Sequence, residues 1–326
     1  VSQAPLEPPR SEDLTAFAGE DHVKARSPWE IFWARFRSDK LAVAGVGVLV
    51  FLGLLAIFAP LSVKLTGHDP NDLHIYEVLD QYGLPEGPQS EFWFGADSAG
   101  RDVFVRVIYG TRTSLTVALL ATTIELGIGI VLGLLAGFYR GRIDTIIMRT
   151  ADVIFSIPVL MLALGLVAAC GLQKEGCLGG AIRPGILLIS YVIGLFGWPY
   201  IARIVRGQVL SLREKEFVEA ARAQGASNTY VIFREILPNI LAPVLVYGTL
   251  VIPENILYEA ALSFLGLGVP ANTPSWGYML NEASSIFTVA WWLMLFPGVF
   301  LFLTTFAFNL AGDGLRDALD PRTASR

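Results

Sequence analysis

Six apolar runs, each about the 20 residues needed to cross the hydrocarbon of a bilayer, dominate the sequence and restrict it to one kind of fold. They fall at residues 41–61, 115–138, 150–170, 185–203, 238–262 and 286–310. In lipid the backbone must satisfy its own hydrogen bonds, so only helices or closed barrels cross, and these runs are far too long for barrel strands. The expected fold is therefore an all-α polytopic membrane protein with six transmembrane helices. Charge is scarce for the same reason: 16% of the 326 residues are Asp, Glu, Lys or Arg, against about 25% in soluble domains.

The net charge of −5 hides an asymmetry. With the N-terminus placed inside, 18 of the 24 Lys and Arg residues fall on the inner segments and 6 on the outer ones. Positive charge concentrates on the cytoplasmic side of membrane proteins, so both termini are expected in the cytoplasm. Basic residues gathered at membrane edges leave no reason to expect a nucleic-acid partner.

Residues 1–27 are polar and read as a disordered cytoplasmic extension. Residues 28–40 read as an amphipathic helix lying on the membrane surface. In it, Trp29, Phe32, Trp33 and Phe36 share one stripe, and Arg35 and Arg37 meet lipid headgroups. Residues 62–112 form a long outer segment with eight acidic and four basic residues. The second run carries Gly129, Gly133 and Gly137 at four-residue intervals, a spacing that lets another helix approach closely.

The most informative stretch is 203–237, a connection much longer than usual. Good helix formers from Glu216 to Gln224 end at Gly225, a helix-stopping residue, and a second helical stretch, Thr229 to Ile236, leads to Pro238. A short helix held between two turns along the membrane surface is shaped to be gripped by another protein.

Within it, Glu219-Ala220-Ala221-Arg222-Ala223-Gln224-Gly225, followed by Leu237-Pro238, resembles the EAA loop of ABC importer permeases. Further segments resemble the C-type permease subunit of the peptide and nickel importers. They are Phe94-Gly95-Ala96-Asp97 with Gly100-Arg101-Asp102-Val103 and Arg112-Thr113-Ser114-Leu115; Met148-Arg149 with Asp152, Ser156 and Pro158; and Glu259-Ala260-Ala261-Leu262-Ser263-Phe264-Leu265-Gly266-Leu267-Gly268, continuing to Pro274-Ser275-Trp276-Gly277. The ending Gly312-Asp313-Gly314-Leu315-Arg316-Asp317 also fits. Ala96 stands where many members have Thr.

The resemblance implies the type I ABC importer transmembrane-domain fold, with a five-helix permease core over 113–310, a coupling helix at 216–225 and a cytoplasmic tail at 311–326. It implies that Glu219, Ala220, Ala221, Arg222 and Gly225 dock on an ATPase. The implied partners are a second homologous permease subunit, two ABC ATPase subunits, an extracytoplasmic substrate-binding protein and membrane lipid. The machine would sit in the bacterial cytoplasmic membrane and carry di- or oligopeptides by alternating access; nickel or another small solute is the alternative cargo. No phosphate-binding loop of the Gly-x-x-x-x-Gly-Lys-Ser/Thr type is present, so this chain is not itself expected to be an enzyme or to bind a cofactor. ATP and Mg belong to the partner subunits.

A channel or secondary transporter is the rival from another class; it calls for internal inverted repeats, and none is evident. Glu125, beside Thr122 and Thr123 in mid-span, either lines a substrate path and meets a cationic group or makes a structural hydrogen bond. Glu254 and Asn255 follow Pro253, which bends its helix; they suit a pathway wall or simple packing. Trp276 suits an outer gate or an interfacial anchor. Arg149 and Asp152 read as a local ion pair, and Arg101 and Asp102 as order in the outer segment. Cys170 and Cys177, seven residues apart on the outer side, form a disulfide or remain free thiols. His68, Asp69, Asp72 and His74 fit no established zinc spacing, so no metal is assigned and they read as a solvated loop.

Overall fold

The computed structural model describes residues 27–171 and 185–319. The expected extension at 1–27 (all but its last residue), Cys177, and the end of the tail from 320 lie outside the described residues. Among these the chain is helical, with two isolated β-bridges, Leu79 to Pro85 and Ala96 to Asp102, and no longer strand.

Helix α1 (Pro28–Ser38) opens on a capping box in which Ser27 and Glu30 satisfy each other's backbone amides. Its Trp29, Phe32, Trp33 and Phe36 rings stack along one side. Asp39 then caps α2 (Lys40–Ile57), accepting from the Leu41 and Ala42 amides at 2.9 and 3.1 Å. Helices α3 (Ala59–Thr66) and α4 (Ile75–Val78) lead into the outer segment.

The second crossing begins earlier than expected. Helix α5 runs Val103–Tyr139, so the last ten residues assigned to the outer segment are helical. Its start was hidden because Arg106 and Arg112 depress the local hydropathy. Asp102 sets the boundary by accepting from the Phe104 and Val105 amides at 2.8 and 3.4 Å.

The third run is not one straight span. It is α6 (Gly141–Phe155) and α7 (Val159–Gly171), bent by 83°. Pro158 lacks an amide proton and disfavours helical geometry at Ile157, which breaks the run. Two pairs tie α6 to α8 (Ile186–Leu212): Arg206 grips Asp144 with two bonds of 2.5 and 2.6 Å, and Arg203 meets Asp152 at 2.6 Å. The expected Arg149–Asp152 pair gives way to this contact, because α8 presents Arg203 across the helix interface to the same carboxylate.

Beyond α8 come α9 (Glu216–Ala223), α10 (Asn228–Tyr230) and a π-helical turn at Val231–Ile236 that runs into α11 (Leu237–Phe264). Helix α12 (Trp276–Ala283) and α13 (Trp292–Leu319) complete the described chain. Residues 286–291, expected inside the sixth span, form turns, whereas the expected tail is helical to Leu319. Among the described residues five helices are long and apolar enough to cross, and the bent α6–α7 pair makes six.

The bundle is organised by α5 against α8. A Cβ placed on Gly129, Gly133 or Gly137 would lie 2.6, 2.6 or 2.7 Å from the Cβ of Ile201, Val205 or Val209. Each glycine is thus a hole for a β-branched knob, and removing the side chain lets the backbones close. Substituting Gly133 with Ala should lower thermal stability by about 1–3 kcal/mol through overpacking. Gly127 on the same helix has nothing within 4 Å of its would-be Cβ. Gly127→Ala should leave the unfolding temperature of the purified membrane protein unchanged or raised, which separates packing from helix propensity.

Candidate functional site

Three places concentrate polar chemistry. The outermost is a clamp built from the sequence motif at 94–106. Phe94 stacks on Phe296 with centroids 3.8 Å apart. Gly95 turns the chain at φ +77, and its would-be Cβ would strike the Trp292 ring nitrogen, which donates to the Ala96 carbonyl at 3.0 Å. Asp97 meets Arg101 at 2.7 Å and the fully buried Arg106 at 3.3 Å, and Glu282 of α12 meets both arginines. Burial acts to lower the Arg101 guanidinium, but Asp97 and Glu282 outweigh it and hold it above its ordinary value. His68 pairs with Asp102 and His74 with Glu77, and no group among the described residues gathers enough ligands to hold a metal ion.

Trp276 belongs to this structural region. It is fully buried, and its ring nitrogen donates to the Val107 carbonyl at 3.2 Å. It packs over Gly110, and it does not line the central cavity. Glu259, quoted above only as part of a motif, is buried completely and accepts from Ser114 at 2.8 Å and Ser263 at 2.7 Å. A carboxylate matched to serines from two helices was the available signal, but their separation of 145 residues concealed it. Cys170 is buried, and its expected partner Cys177 lies outside the described residues.

The second place is a cavity of about 270 Å³ inside the bundle. It gathers Glu125 of α5, Gly197 and Tyr200 of α8, and Glu254, Asn255 and Tyr258 of α11. Phe155 and Val159, on either side of the α6–α7 break, complete one wall. The structure thus brings Glu125 together with the adjacent pair Glu254 and Asn255, 130 residues further along the chain at Asn255. The Asn255 amide donates to Thr122 at 2.9 Å and to Glu125 at 3.2 Å. Tyr258 donates to Glu254 at 3.0 Å.

The third place is α9. Val218 is its one fully buried residue and joins a core cluster with Val209 of α8, Val231 and Ile236. Arg222 lies over the Phe138 ring at 5.4 Å. Glu219 and Ala220 are exposed and Ala221 is half-buried, with Phe217 39% exposed beside them. Gly225, at φ +83, ends the helix: its amide donates to the Arg222 carbonyl and the Ala226 amide to that of Ala221, a Schellman cap. An open groove of about 500 Å³ beside it is bounded by Gln224, Ser227, Tyr230 and Glu235.

The fold resembles that of a solved transporter. An inward-facing MetNI methionine ABC transporter structure aligns with a TM-score of 0.54 at 18% identity, covering 66% of this chain and 97% of that one. The fold is that of an ABC importer transmembrane domain. The family of binding-protein-dependent transport system inner membrane components matches residues 129–325, and the N-terminal transmembrane domain of oligopeptide transport permease C matches 27–79. The dipeptide transport system permease protein DppC of Alkalihalophilus pseudofirmus is 41% identical over 307 residues, 94% of each chain. The glutathione transport system permease protein GsiD of Pectobacterium atrosepticum is 41% identical over 300 residues, 92% of this chain and 93% of that one. The oligopeptide transport system permease protein OppC of Bacillus subtilis is 38% identical over 299 residues, 92% and 91% of the two chains. The chain belongs to the binding-protein-dependent transport system inner membrane component family and is a multi-pass membrane permease.

The Gly225 cap gives a direct test of local order. Nothing lies within 4 Å of a Cβ there, so Gly225→Ala adds only the left-handed backbone penalty, about 1–2 kcal/mol. Amide hydrogen exchange over residues 216–226 should quicken about 5–30-fold, with Gly225→Asn showing a smaller rise.

Proposed function

We propose that this chain is one of two permease subunits of a binding-protein-dependent importer of di- or oligopeptides, driven by two ATPase subunits docked on its cytoplasmic face. The observation that carries the reading is α9: a short helix fastened to the core through Val218 while Phe217, Glu219 and Ala220 remain exposed. An exposed apolar ring beside small residues is a surface that another protein can cover. The peptide cargo follows from relatives named for dipeptide, oligopeptide and glutathione transport that align over more than nine-tenths of the chain.

In this reading ATP and Mg bind the partner subunits, and closure of the ATPases displaces α9. The bundle then alternates between outward and inward access, two packings of the same helices biased by that contact. Both termini and α9 lie in the cytoplasm, in keeping with the excess of Lys and Arg on that side. The clamp of Arg101, Arg106, Asp97 and Glu282 lies outside, facing the binding protein. The passage for solute is the cavity bounded by Glu125, Glu254 and Asn255. Trp276 supports the outer rim from within rather than touching solute, since it is fully buried.

The test is ATP hydrolysis by the reconstituted complex, with and without peptide-loaded binding protein. Glu219→Ala combined with Gly225→Pro should cut stimulated turnover about tenfold or more, as expected from losing ~1.4 kcal/mol of docking energy, while the membrane bundle keeps its unfolding temperature. Normal coupling in the double variant, or a wild-type chain that recruits no ATPase, overturns the reading.

A further inference from the structure

The cavity beside the α6–α7 break holds a carboxylate that forms no ion pair among the described residues. Glu125 is 3% exposed, yet its side chain forms part of the cavity wall. Its Oε2 accepts from the Asn255 amide at 3.2 Å, a neutral donor that also serves Thr122. Among the described residues no Lys, Arg or His lines the cavity, and the other carboxylate there, Glu254, adds charge of the same sign. The two arginines of α8 are held elsewhere, Arg203 by Asp152 and Arg206 by Asp144. An ionisable group at membrane depth is costly and calls for a partner.

The walls supply the rest of a cation site. Phe155, Phe196, Tyr200 and Tyr258 surround the cavity with aromatic rings. The Phe155 ring already takes part in one cation contact, for the Arg203 guanidinium lies over it at 4.4 Å. The broken span brings the C-terminal end of α6, at Phe155, and the N-terminal end of α7, at Val159, to the same wall, so the two helix dipoles oppose each other there. Interrupted helices at membrane depth occur where backbone lines a cavity or is buried in protein. The volume, about 270 Å³, falls just below that of sites that enclose a whole drug-sized ligand, about 300 Å³ or more. It fits one end of a solute.

The position of the carboxylate is also fixed. A Cβ on Gly197 would lie 2.6 Å from the Glu125 carboxyl carbon and within 2.8 Å of both oxygens. The missing side chain at 197 therefore lets the carboxyl group lie flat against α8.

We infer that this cavity binds a primary ammonium group, with the Glu125 carboxylate as counter-ion, Gly197 leaving room for that carboxylate and Asn255 orienting it. The naming of the solute rests on the importer reading: in a di- or oligopeptide, the group is the free amino terminus. The site then distinguishes a peptide with a free amine from one whose terminus is acylated.

The direct test leaves the chain unaltered. The whole complex in lipid nanodiscs is treated with a hydrophobic carbodiimide, and modification of Glu125 is followed by peptide mass spectrometry. Dialanine should slow that modification about tenfold, the order expected for a charge-assisted contact, and N-acetyl-dialanine should not. Equal rates with and without dialanine, or equal protection by both probes, overturn the ammonium site. In proteoliposomes, Glu125→Gln should lower dialanine uptake per ATP about tenfold. Gly197→Ala should do the same by displacing the carboxylate. Unchanged uptake per ATP in Glu125→Gln also overturns the site. A wild-type complex with no ATPase subunits and no dialanine uptake sinks the importer reading instead, and the labelling experiment still decides whether the cavity takes an ammonium.

Discussion

Everything in this bundle is hung from the contact between α5 and α8. Three glycines on one helix accept Ile201, Val205 and Val209 of the other, so the two backbones meet along most of the shared length. The interlock continues toward the outer side with the roles exchanged. There Gly194 and Gly197 of α8 accept Ile124 and Glu125 of α5. Lipid offers as much apolar contact as another helix does, so close packing rather than the hydrophobic effect holds such a pair together. The seam therefore fixes both the anchor of α9, through Val209 and Val218, and the floor of the cavity, through Gly197 and Glu125.

The outer end is held by a different force. Arg106 is fully buried against Asp97, Glu282 and the Pro70 carbonyl, and Glu259 is fully buried among serines. Such groups tolerate little displacement, because removing one partner leaves an uncompensated charge, typically at a cost of 3–5 kcal/mol. The clamp joins the loop before α5 to α12, while the cavity below it has one wall broken at Pro158 and others formed by helices that carry Pro199 and Pro253 within them. A tightly paired outer rim above a proline-bearing middle divides the molecule into a stiff part and a part with freedom to repack.

The sequence made the number of crossings and the existence of α9 legible because both depend on local signals: run length, and helix formers closed by Gly225. It also exposed the glycine seam, since a four-residue spacing lies on one helix. What it hid was long-range. The Arg112–Ser114 and Glu259–Ser263 motifs look like separate signatures, but in the fold Ser114 and Ser263 bond the same carboxylate. Asp152 seems to belong with Arg149 one turn away, and the bundle gives it to Arg203. Hydropathy alone read 150–170 as a straight span, although Pro158 stood within it. Glu125, Glu254 and Asn255 were each visible as polar residues in apolar runs; their meeting around one cavity requires α5 and α11 to be placed against each other first.

Helix α8 is the element that connects the two sites on which transport would depend. Val209 packs in the cluster that holds Val218 of α9, and Gly197 touches Glu125, twelve residues away along the same helix, or about 18 Å. Between them α8 carries Pro199, which lacks an amide proton for the helix ladder, yet the helix runs on and remains interlocked with α5 on both sides of that point. A pull on α9 is therefore delivered to a helix that cannot slide along α5 without driving Val205 out of the pocket at Gly133. Rotation or bending at Pro199 costs less than sliding, and either motion changes the space over Gly197 in which the Glu125 carboxyl group lies. In the importer reading, the same seam that keeps the bundle folded also makes the ammonium site sensitive to the state of the ATPases.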